Sequence, residues 1–280
     1  IIQLKNVLAN KPEQAEARFL LGKALLRDDL PTLAVLELGK ALELGHAKSQ
    51  TIPLLAKAMS GAGQSRKLIE QFAETSFDDP AATAELKLAL ATAYAQQGDE
   101  AKATAAAREA IAKAPDLPAV QVTQARMLTA EGKLDESLAL LSRVTQADPN
   151  NAEAWFHTGD ALLRARGDVK GALQALDKAI AAQPKYMAAH STAIGLLLTQ
   201  GDTKTAAARL DQMRKLWPKN HPQLLYLDAQ VAVASGDNKR ARDLSQELLK
   251  MAPEDLRALQ LAGATAFKVG ALLEAERALT

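Results

Sequence analysis

Cysteine is absent from the 280 residues, which excludes a disulfide framework and any thiolate metal site while leaving the redox compartment open. Aromatic side chains are scarce, at 4% against a hydrophobic content of 48%, so a core here must be assembled from alanine and leucine. Charge of one sign is lacking too. The 34 basic and 33 acidic residues leave a formal net charge of +1, and Lys and Arg are interleaved with Asp and Glu. A phosphate-binding surface needs cations gathered on one face, so nucleic acid is not expected as a partner; the charges read as solvated helix faces with local ion pairs. No long apolar run occurs. The longest uncharged stretch, residues 186–201, contains His190, Ser191, Thr192 and Gln200 and is too short and polar to cross a bilayer core of about 30 Å.

Motifs that carry chemistry are equally missing. Gly61-Ala62-Gly63-Gln64-Ser65-Arg66 begins like a dinucleotide loop but places arginine where the third glycine belongs and follows a helical pattern rather than a strand. There is no phosphate-cradling lysine loop, no His-Glu-x-x-His helix and no serine elbow. The four histidines, His46, His157, His190 and His221, have no second ligand at helical spacing. No catalytic residue, cofactor or metal is therefore expected. His46 and His221 fall in turns, His190 takes a packing slot, and His157 is read as a solvated side chain beside a groove.

What the chain has is a period. Glycine recurs at Gly63, Gly98, Gly132, Gly167, Gly201, Gly236 and Gly270, the steps alternating between 35 and 34. Proline follows the same period out of phase, at Pro80, Pro115, Pro149, Pro184, Pro218 and Pro253. Between them, apolar residues recur every three to four positions, so each unit reads as two amphipathic helices split by the glycine and closed by the proline. First helices are predicted near residues 15–28, 49–62, 84–97, 118–131, 152–166, 187–200, 222–235 and 256–269. Extra residues should be absorbed near Arg164 to Gly167 and Asn220 to Pro222. Small residues share one phase of the first helix (Gly22, Ala56, Ala91, Ala125, Gly159, Ala229, Gly263) and one of the second (Ala34, Ala103, Ala172, Ala206, Ala241, Ala275), as close helix crossings require. Leu68 and Ser137 break the second series, and looser packing is expected there.

Trp155-xx-Thr158-Gly159-xx-Leu162, then Ala172-xxx-Leu176 and Pro184, with partial copies at Leu21-Gly22-xx-Leu25, Ala91-xx-Tyr94, Ile194-xx-Leu197 and Ala262-Gly263-xx-Ala266, resembles the tetratricopeptide repeat. That family's pattern is W-x2-L-G-x2-Y, A-x3-F and P in a unit of about 34 residues. The resemblance runs from end to end. It implies an all-α, right-handed superhelical solenoid forming one array over residues 1–280, with approximate units 1–14 (partial), 15–48, 49–83, 84–117, 118–151, 152–186, 187–221, 222–255 and 256–280 (partial). Such an array is stabilised unit by unit through nearest-neighbour contacts. With Ile1 and Thr280 each falling inside a second helix, a fragment of a longer protein is expected.

In tetratricopeptide arrays one stripe of the first helices lines the concave groove. Here that stripe carries Phe19, Phe156 and Tyr226, then Lys23, Lys57, Arg126, Asp160 and Gln230, and beyond those Leu26, Leu88, Leu163, Val233 and Phe267. Phe19, Phe156 and Tyr226 are expected to project as open anchors. The mixture of apolar residues and single charges suits an extended or helical peptide whose affinity resides in a few anchors. Carboxylates at Glu16, Glu85, Glu153 and Asp160 leave a carbohydrate-contacting scaffold as a weaker reading. Neither the lysine–asparagine clamp of chaperone-binding arrays nor the asparagine ladder of sugar-transferring enzymes is present.

The opening segment Ile1 to Leu8, Lys11-Pro12, Ala15 to Arg18, Leu21-Gly22-Lys23, Leu42 to Gly45 and Lys48-Ser49-Gln50 is similar to the large tetratricopeptide lipoprotein associated with bacterial exosortase and PEP-CTERM sorting systems. That resemblance begins at Ile1 and ends near Pro80. It implies a periplasmic location in a bacterial envelope, membrane anchoring through an N-terminal lipid-modified segment outside these residues, and work beside exopolysaccharide and protein sorting. The function expected is a non-enzymatic scaffold holding a protein or peptide in its groove. The alternative is the docking or regulatory arm of a larger enzyme whose catalytic domain lies elsewhere.

Overall fold

Short alanine-rich segments, each stopped by glycine or proline, give helices and nothing else. The computed structural model describes residues 1–279, without the side chain of Leu279. Among the described residues there are 17 helices and no strand: α1 (Ile2–Asn10), α2 (Ala15–Arg27), α3 (Pro31–Glu43), α4 (Lys48–Gly61), α5 (Ser65–Phe72), α6 (Pro80–Gln96), α7 (Glu100–Lys113), α8 (Pro118–Ala130), α9 (Leu134–Ala147), α10 (Ala152–Arg166), α11 (Val169–Ala182), α12 (Met187–Thr199), α13 (Thr203–Met213), α14 (Pro222–Ala234), α15 (Asn238–Met251), α16 (Leu256–Lys268) and α17 (Leu272–Leu279). The even-numbered helices from α2 to α16 are the first helices of the repeats. Seven of the eight lie within a residue or two of the predicted spans. The eighth, α6, starts four residues early, because Asp79 accepts a hydrogen bond from the Ala81 amide and Pro80 occupies the first helical turn. Pro80 thus opens a helix instead of closing a unit, since a proline at the first position forfeits no helical bond.

Two backbone devices end one helix and begin the next. Each ladder glycine has positive φ, from +59° to +79°, and after Gly63, Gly98, Gly132, Gly201, Gly236 and Gly270 the following amide bonds back to a carbonyl five residues earlier, as from Asp99 to Tyr94 at 2.9 Å and from Asp202 to Leu197 at 2.9 Å. This is a Schellman ending. In the first repeat Asp29, φ 57°, stands in that place, and Leu30 bonds back to Leu25 at 3.0 Å. The residue after the glycine then caps the second helix. Asp99, Asp168, Asp202 and Asp237 each accept a bond from the amide three residues on, at 3.1, 2.8, 3.0 and 3.2 Å. Gln64 and Lys133 occupy the same place without a side-chain cap, and α5 behind Gln64 extends for only 8 residues.

Contacts gather into two units, residues 1–165 and 166–280. In the first unit one core joins Leu21, Leu25, Leu38, Leu55, Met59, Leu68 and Leu86, and others join Val122, Leu141 and Val144 to Ala154 and Ala161, and Ala84 to Ala110 and Val120. In the second, Ile194, Leu210, Met213, Leu224 and Leu227 form the main cluster, with Leu225, Leu248 and Ala258 beside it.

Small residues set the crossings. A β-carbon on Gly22 would lie 2.5 Å from Cγ of Leu38, and Ala34, Ala56, Ala125, Ala172, Ala206, Ala229 and Ala241 are fully buried. Ala91 departs, because α6 turns Leu90 and Ala93 inward and leaves Ala91 half-buried. At Ser137 the expected looseness is replaced by a polar lock. Its hydroxyl donates to the Ala125 carbonyl at 2.8 Å and lies 2.8 Å from the Thr129 hydroxyl. Leu68 is fully buried in the core of the first unit, on the shortened α5.

Two outcomes test this account. Ala172→Leu should overpack its crossing and lower stability by about 1–3 kcal/mol in denaturant titration. Asp168→Ala, which removes a cap without touching the core, should cost roughly 1 kcal/mol and leave the helical signal of the folded state unchanged.

Candidate functional site

First helices of successive repeats lie side by side in the first unit, and their shared face holds a cleft of about 340 Å³. It is lined from α4 by Pro53, Leu54, Lys57, Ser60 and Gly61, from α6 by Glu85, Leu88, Ala89, Thr92 and Gln96, from α8 by Ala119, Thr123 and Arg126, and from α10 by Glu153. The repeat period explains the gathering, because Lys57, Thr92 and Arg126 occupy one register while Glu85, Ala119 and Glu153 occupy another. Lys57, Leu88 and Arg126 are the groove residues predicted from sequence that the cleft brings together. Glu85 and Glu153, noticed in the sequence only as carboxylates, line it as well. Pro53, Leu54, Ser60, Thr92, Gln96 and Thr123 were missed, although one period beyond Lys57 falls Thr92.

Charge in the cleft is largely uncommitted. Lys57, Glu85 and Arg126 form no ion pair or hydrogen bond among the described residues, and Glu153 has only His157, at 4.0 Å. Burial raises the Glu85 carboxyl above its ordinary value, an effect partly offset by the nearby Lys57 ammonium. Ser60 is 6% exposed, and its buried hydroxyl has no partner. A buried hydroxyl without a partner is costly. Beside it, Ser65 donates a hydrogen bond to the Gln96 side chain.

The other predicted groove residues have different surroundings. Phe19 is 9% exposed and stacks on the His46 ring, with centroids 4.2 Å apart; Glu16 and Thr51 hold that imidazole at 3.0 and 2.7 Å. Its role as an open anchor is corrected: His46 in the turn covers the ring. Glu16 is bound in the same arrangement. Lys23 is exposed on α2, while Leu26 packs partly against the core. Phe156 is half-buried and meets His157 edge-on at 5.1 Å, Asp160 is paired with Arg164 at 3.1 Å, and Leu163 is half-buried.

In the second unit, Tyr226 is half-buried, its hydroxyl accepts a bond from Gln230 at 3.0 Å, and the Arg257 guanidinium sits 5.7 Å from the ring centre. Val233 is half-buried, and Phe267 is 67% exposed. Arg209 is bound to Asp177 at 2.6 Å.

The histidines divide by environment. His190 is 2% exposed, its Nε2 lies 2.9 Å from the Pro184 carbonyl, and its ring meets Trp217 edge-on at 5.4 Å. Trp155, one period earlier, donates its indole N–H to the Pro149 carbonyl at 2.9 Å. Imidazole and indole thus perform the same local task. His157 is not the solvated side chain expected, being 17% exposed. Desolvation, reinforced by Arg126, lowers its pKa from 6.5 to about 4.

This depression has a defined sign. Between about pH 6.5 and about pH 4 the unfolded chain holds a proton on His157 that the folded chain does not, so stability falls as pH drops through that window. His190, also lowered chiefly by desolvation, acts in the same direction. His157→Gln should therefore flatten part of the loss of stability between pH 7 and 4. An imidazole NMR titration with a His157 midpoint near 6.5 would contradict this account.

Two tetratricopeptide repeat family models match the chain, one over residues 3–49 and 122–186 and the other over residues 163–231. No curated protein sequence matches it. Among solved structures, the chain is similar to a thermophilic tetratricopeptide protein of Thermus thermophilus (20% identity, TM-score 0.54, covering 66% of this chain and 98% of that one). It is also similar to the APC/C hetero-tetramer Cut9–Hcn1 (12% identity, TM-score 0.73, 95% and 54%) and to a tetratricopeptide protein from Parabacteroides merdae ATCC 43184 (15% identity, TM-score 0.52, 77% of each). At these identities the likeness concerns fold alone. With matched segments spanning more than half of the sequence and the same paired helices throughout, the chain belongs to the tetratricopeptide repeat family.

Proposed function

We propose that the protein is a non-enzymatic scaffold that holds a segment of a partner protein in the cleft lined by α4, α6, α8 and α10. The observation that carries this reading is the coincidence, in one cleft, of uncommitted charges at Lys57, Glu85 and Arg126 with an unpartnered buried hydroxyl at Ser60. Several partly buried charges elsewhere are paired within the fold: Arg18 with Glu37, Lys87 with Glu109, Arg242 with Glu274, and Asp228 with both Arg214 and Arg240. Packed helices hold the cleft residues before a ligand arrives, so little ordering cost falls on the receptor.

We place this scaffold in a bacterial envelope, beside an exosortase-type sorting system and anchored through a lipid-modified segment outside these residues. The support is the resemblance of the opening stretch, from Ile1 to near Pro80. Fractionation of the native protein tests that placement: recovery in a soluble cytoplasmic fraction would overturn it.

For the scaffold itself, peptides selected from a random display library against the intact protein supply the ligand. Leu88→Ala and Arg126→Ala should each weaken a selected peptide by more than about 1 kcal/mol in isothermal titration. Arg143→Ala, on an exposed position of the second helix α9, should leave affinity unchanged. The reverse pattern would move binding to the second-helix face.

A further inference from the structure

The charges of the cleft fall into two parallel rows. Lys57 on α4 and Arg126 on α8 share one repeat register, with Thr92 between them on α6, whereas Glu85 on α6 and Glu153 on α10 share another, with Ala119 between them on α8. Thr92 comes seven residues after Glu85, and Arg126 seven after Ala119. Two helical turns, about 10 Å along the first helices, therefore separate a cationic edge from an acidic one. Lys23 on α2 continues the cationic row one repeat earlier, and its charge reaches Glu85. Neither row is neutralised within the fold. Lys23, Lys57, Glu85 and Arg126 form no ion pair among the described residues, and the partner of Glu153, His157 at 4.0 Å, is desolvated and uncharged near neutrality.

Between the rows lies an apolar floor of Leu54, Leu88 and Ala89. It has little to hold a bare backbone. No asparagine occurs on α4, α6, α8 or α10, and the Thr92 and Thr123 hydroxyls already donate to the carbonyls of Leu88 and Ala119 at 3.1 Å each. An extended chain brings an amide and a carbonyl to be satisfied at every residue, whereas an α-helix satisfies its own and meets the floor with side chains alone. Width agrees as well. With its side chains a helix is about 10–12 Å across, close to the separation of the rows.

We infer that the segment bound in this cleft is an amphipathic α-helix lying across α4, α6, α8 and α10, with its apolar underside on Leu54, Leu88 and Ala89. Acidic side chains line its flank facing Lys57 and Arg126, and basic side chains line its flank facing Glu85 and Glu153. The inference rests on the cleft being the peptide site, as proposed above. Turning a helix end for end exchanges its flanks, so the two rows also fix the direction in which the ligand lies.

Three helix spacings of about 8–10 Å call for a ligand of about 16–20 helical residues. The probe is a twenty-one-residue alanine-based helix of three heptads, with leucine at a and d of the middle heptad, glutamate at every e and lysine at every g. Its controls carry glutamate on both flanks or lysine on both. The two-signed helix should bind at least about tenfold more tightly than either control, with an advantage that shrinks at high salt. Lys57→Glu combined with Arg126→Glu makes both rows acidic and should shift the preference to the all-lysine helix. The milder Lys57→Gln, Arg126→Gln pair should remove the advantage over that helix, and unchanged thermal unfolding in both pairs confirms that the fold is retained. A spin label at the N-terminus of the probe should broaden resonances at one end of the cleft, and exchanging glutamate and lysine between e and g should move the broadening to the other end.

Equal or tighter binding of a one-signed helix to the unaltered protein would overturn the two-flanked ligand. Undiminished binding of the probe with proline at the f position of its middle heptad would overturn the helix and give the cleft to an extended chain. Failure of all the helical probes, while display-selected peptides still depend on Leu88 and Arg126, would also overturn it and leave the scaffold reading intact. Selected peptides insensitive to every cleft substitution would instead remove the site on which both readings rest.

Discussion

Close approach of two helices at an alanine or glycine is the constraint from which the remainder of this structure follows. With Ala34, Ala172, Ala206 and Ala241 fully buried at their crossings and Leu38 pressed against the bare Cα of Gly22, each repeat becomes thin. Thin repeats can stack with their first helices side by side, and only then do residues one period apart line one surface. Polar substitution is tolerated at a crossing if the polar group finds a carbonyl or hydroxyl there. Ser137 does so with Ala125, and Ser245 lies 2.7 Å from the Thr265 hydroxyl between α15 and α16. Each hydroxyl replaces dispersion contact with a hydrogen bond at the same short separation, so neither crossing widens.

Turn chemistry keeps the register. A left-handed glycine ends each first helix from α4 onward, and in four repeats the next residue is an aspartate that starts the second. The Gly–Asp dipeptides are plain in the sequence once the two roles are separated, yet glycine periodicity alone reveals only the break. Proline is less dependable as punctuation. Pro115, Pro149, Pro184, Pro218 and Pro253 lie between helices, whereas Pro80 begins one, and the deciding residue is the cap at Asp79. Periodicity therefore locates helices to within a residue or two wherever stop and start signals occupy separate residues, and misplaces them where a single proline does both.

The site was legible in register and illegible in exposure. Lys57, Leu88 and Arg126 could be placed on the inner stripe because helical phase is a property of spacing. Whether a residue on that stripe is open depends on what the neighbouring turn lays over it, and spacing carries no such information. Phe19 illustrates this: a histidine at position 46, where the ladder would place proline, stacks on its ring and seals it. His157 and Tyr226 are likewise half-covered by neighbours in the same helix or the next repeat. Polar residues such as Thr92 and Gln96 escaped notice for a different reason, since neither an anchor nor a charge draws attention to them.

Two acids mark the difference between a charge that the fold satisfies and one that it leaves open to a ligand or to water. Asp228, 9% exposed, is held by Arg214 at 2.7 Å and Arg240 at 2.9 Å, tying α14 to α15 and to the turn after α13. A buried carboxylate of this kind is tolerated because two guanidinium groups replace its water, and removing either partner would leave it under-compensated. Glu85 holds an exposed position on α6; partial desolvation raises its pKa, and the nearby Lys57 ammonium offsets only part of that rise. In one unit, then, the fold completes the environment of its buried acid; in the other, it leaves an acid, two cations and a hydroxyl incompletely matched within one cleft. An incoming segment that completes those environments would gain what the fold itself has withheld, and that difference is the ground for proposing the face of α4, α6, α8 and α10 as the binding surface.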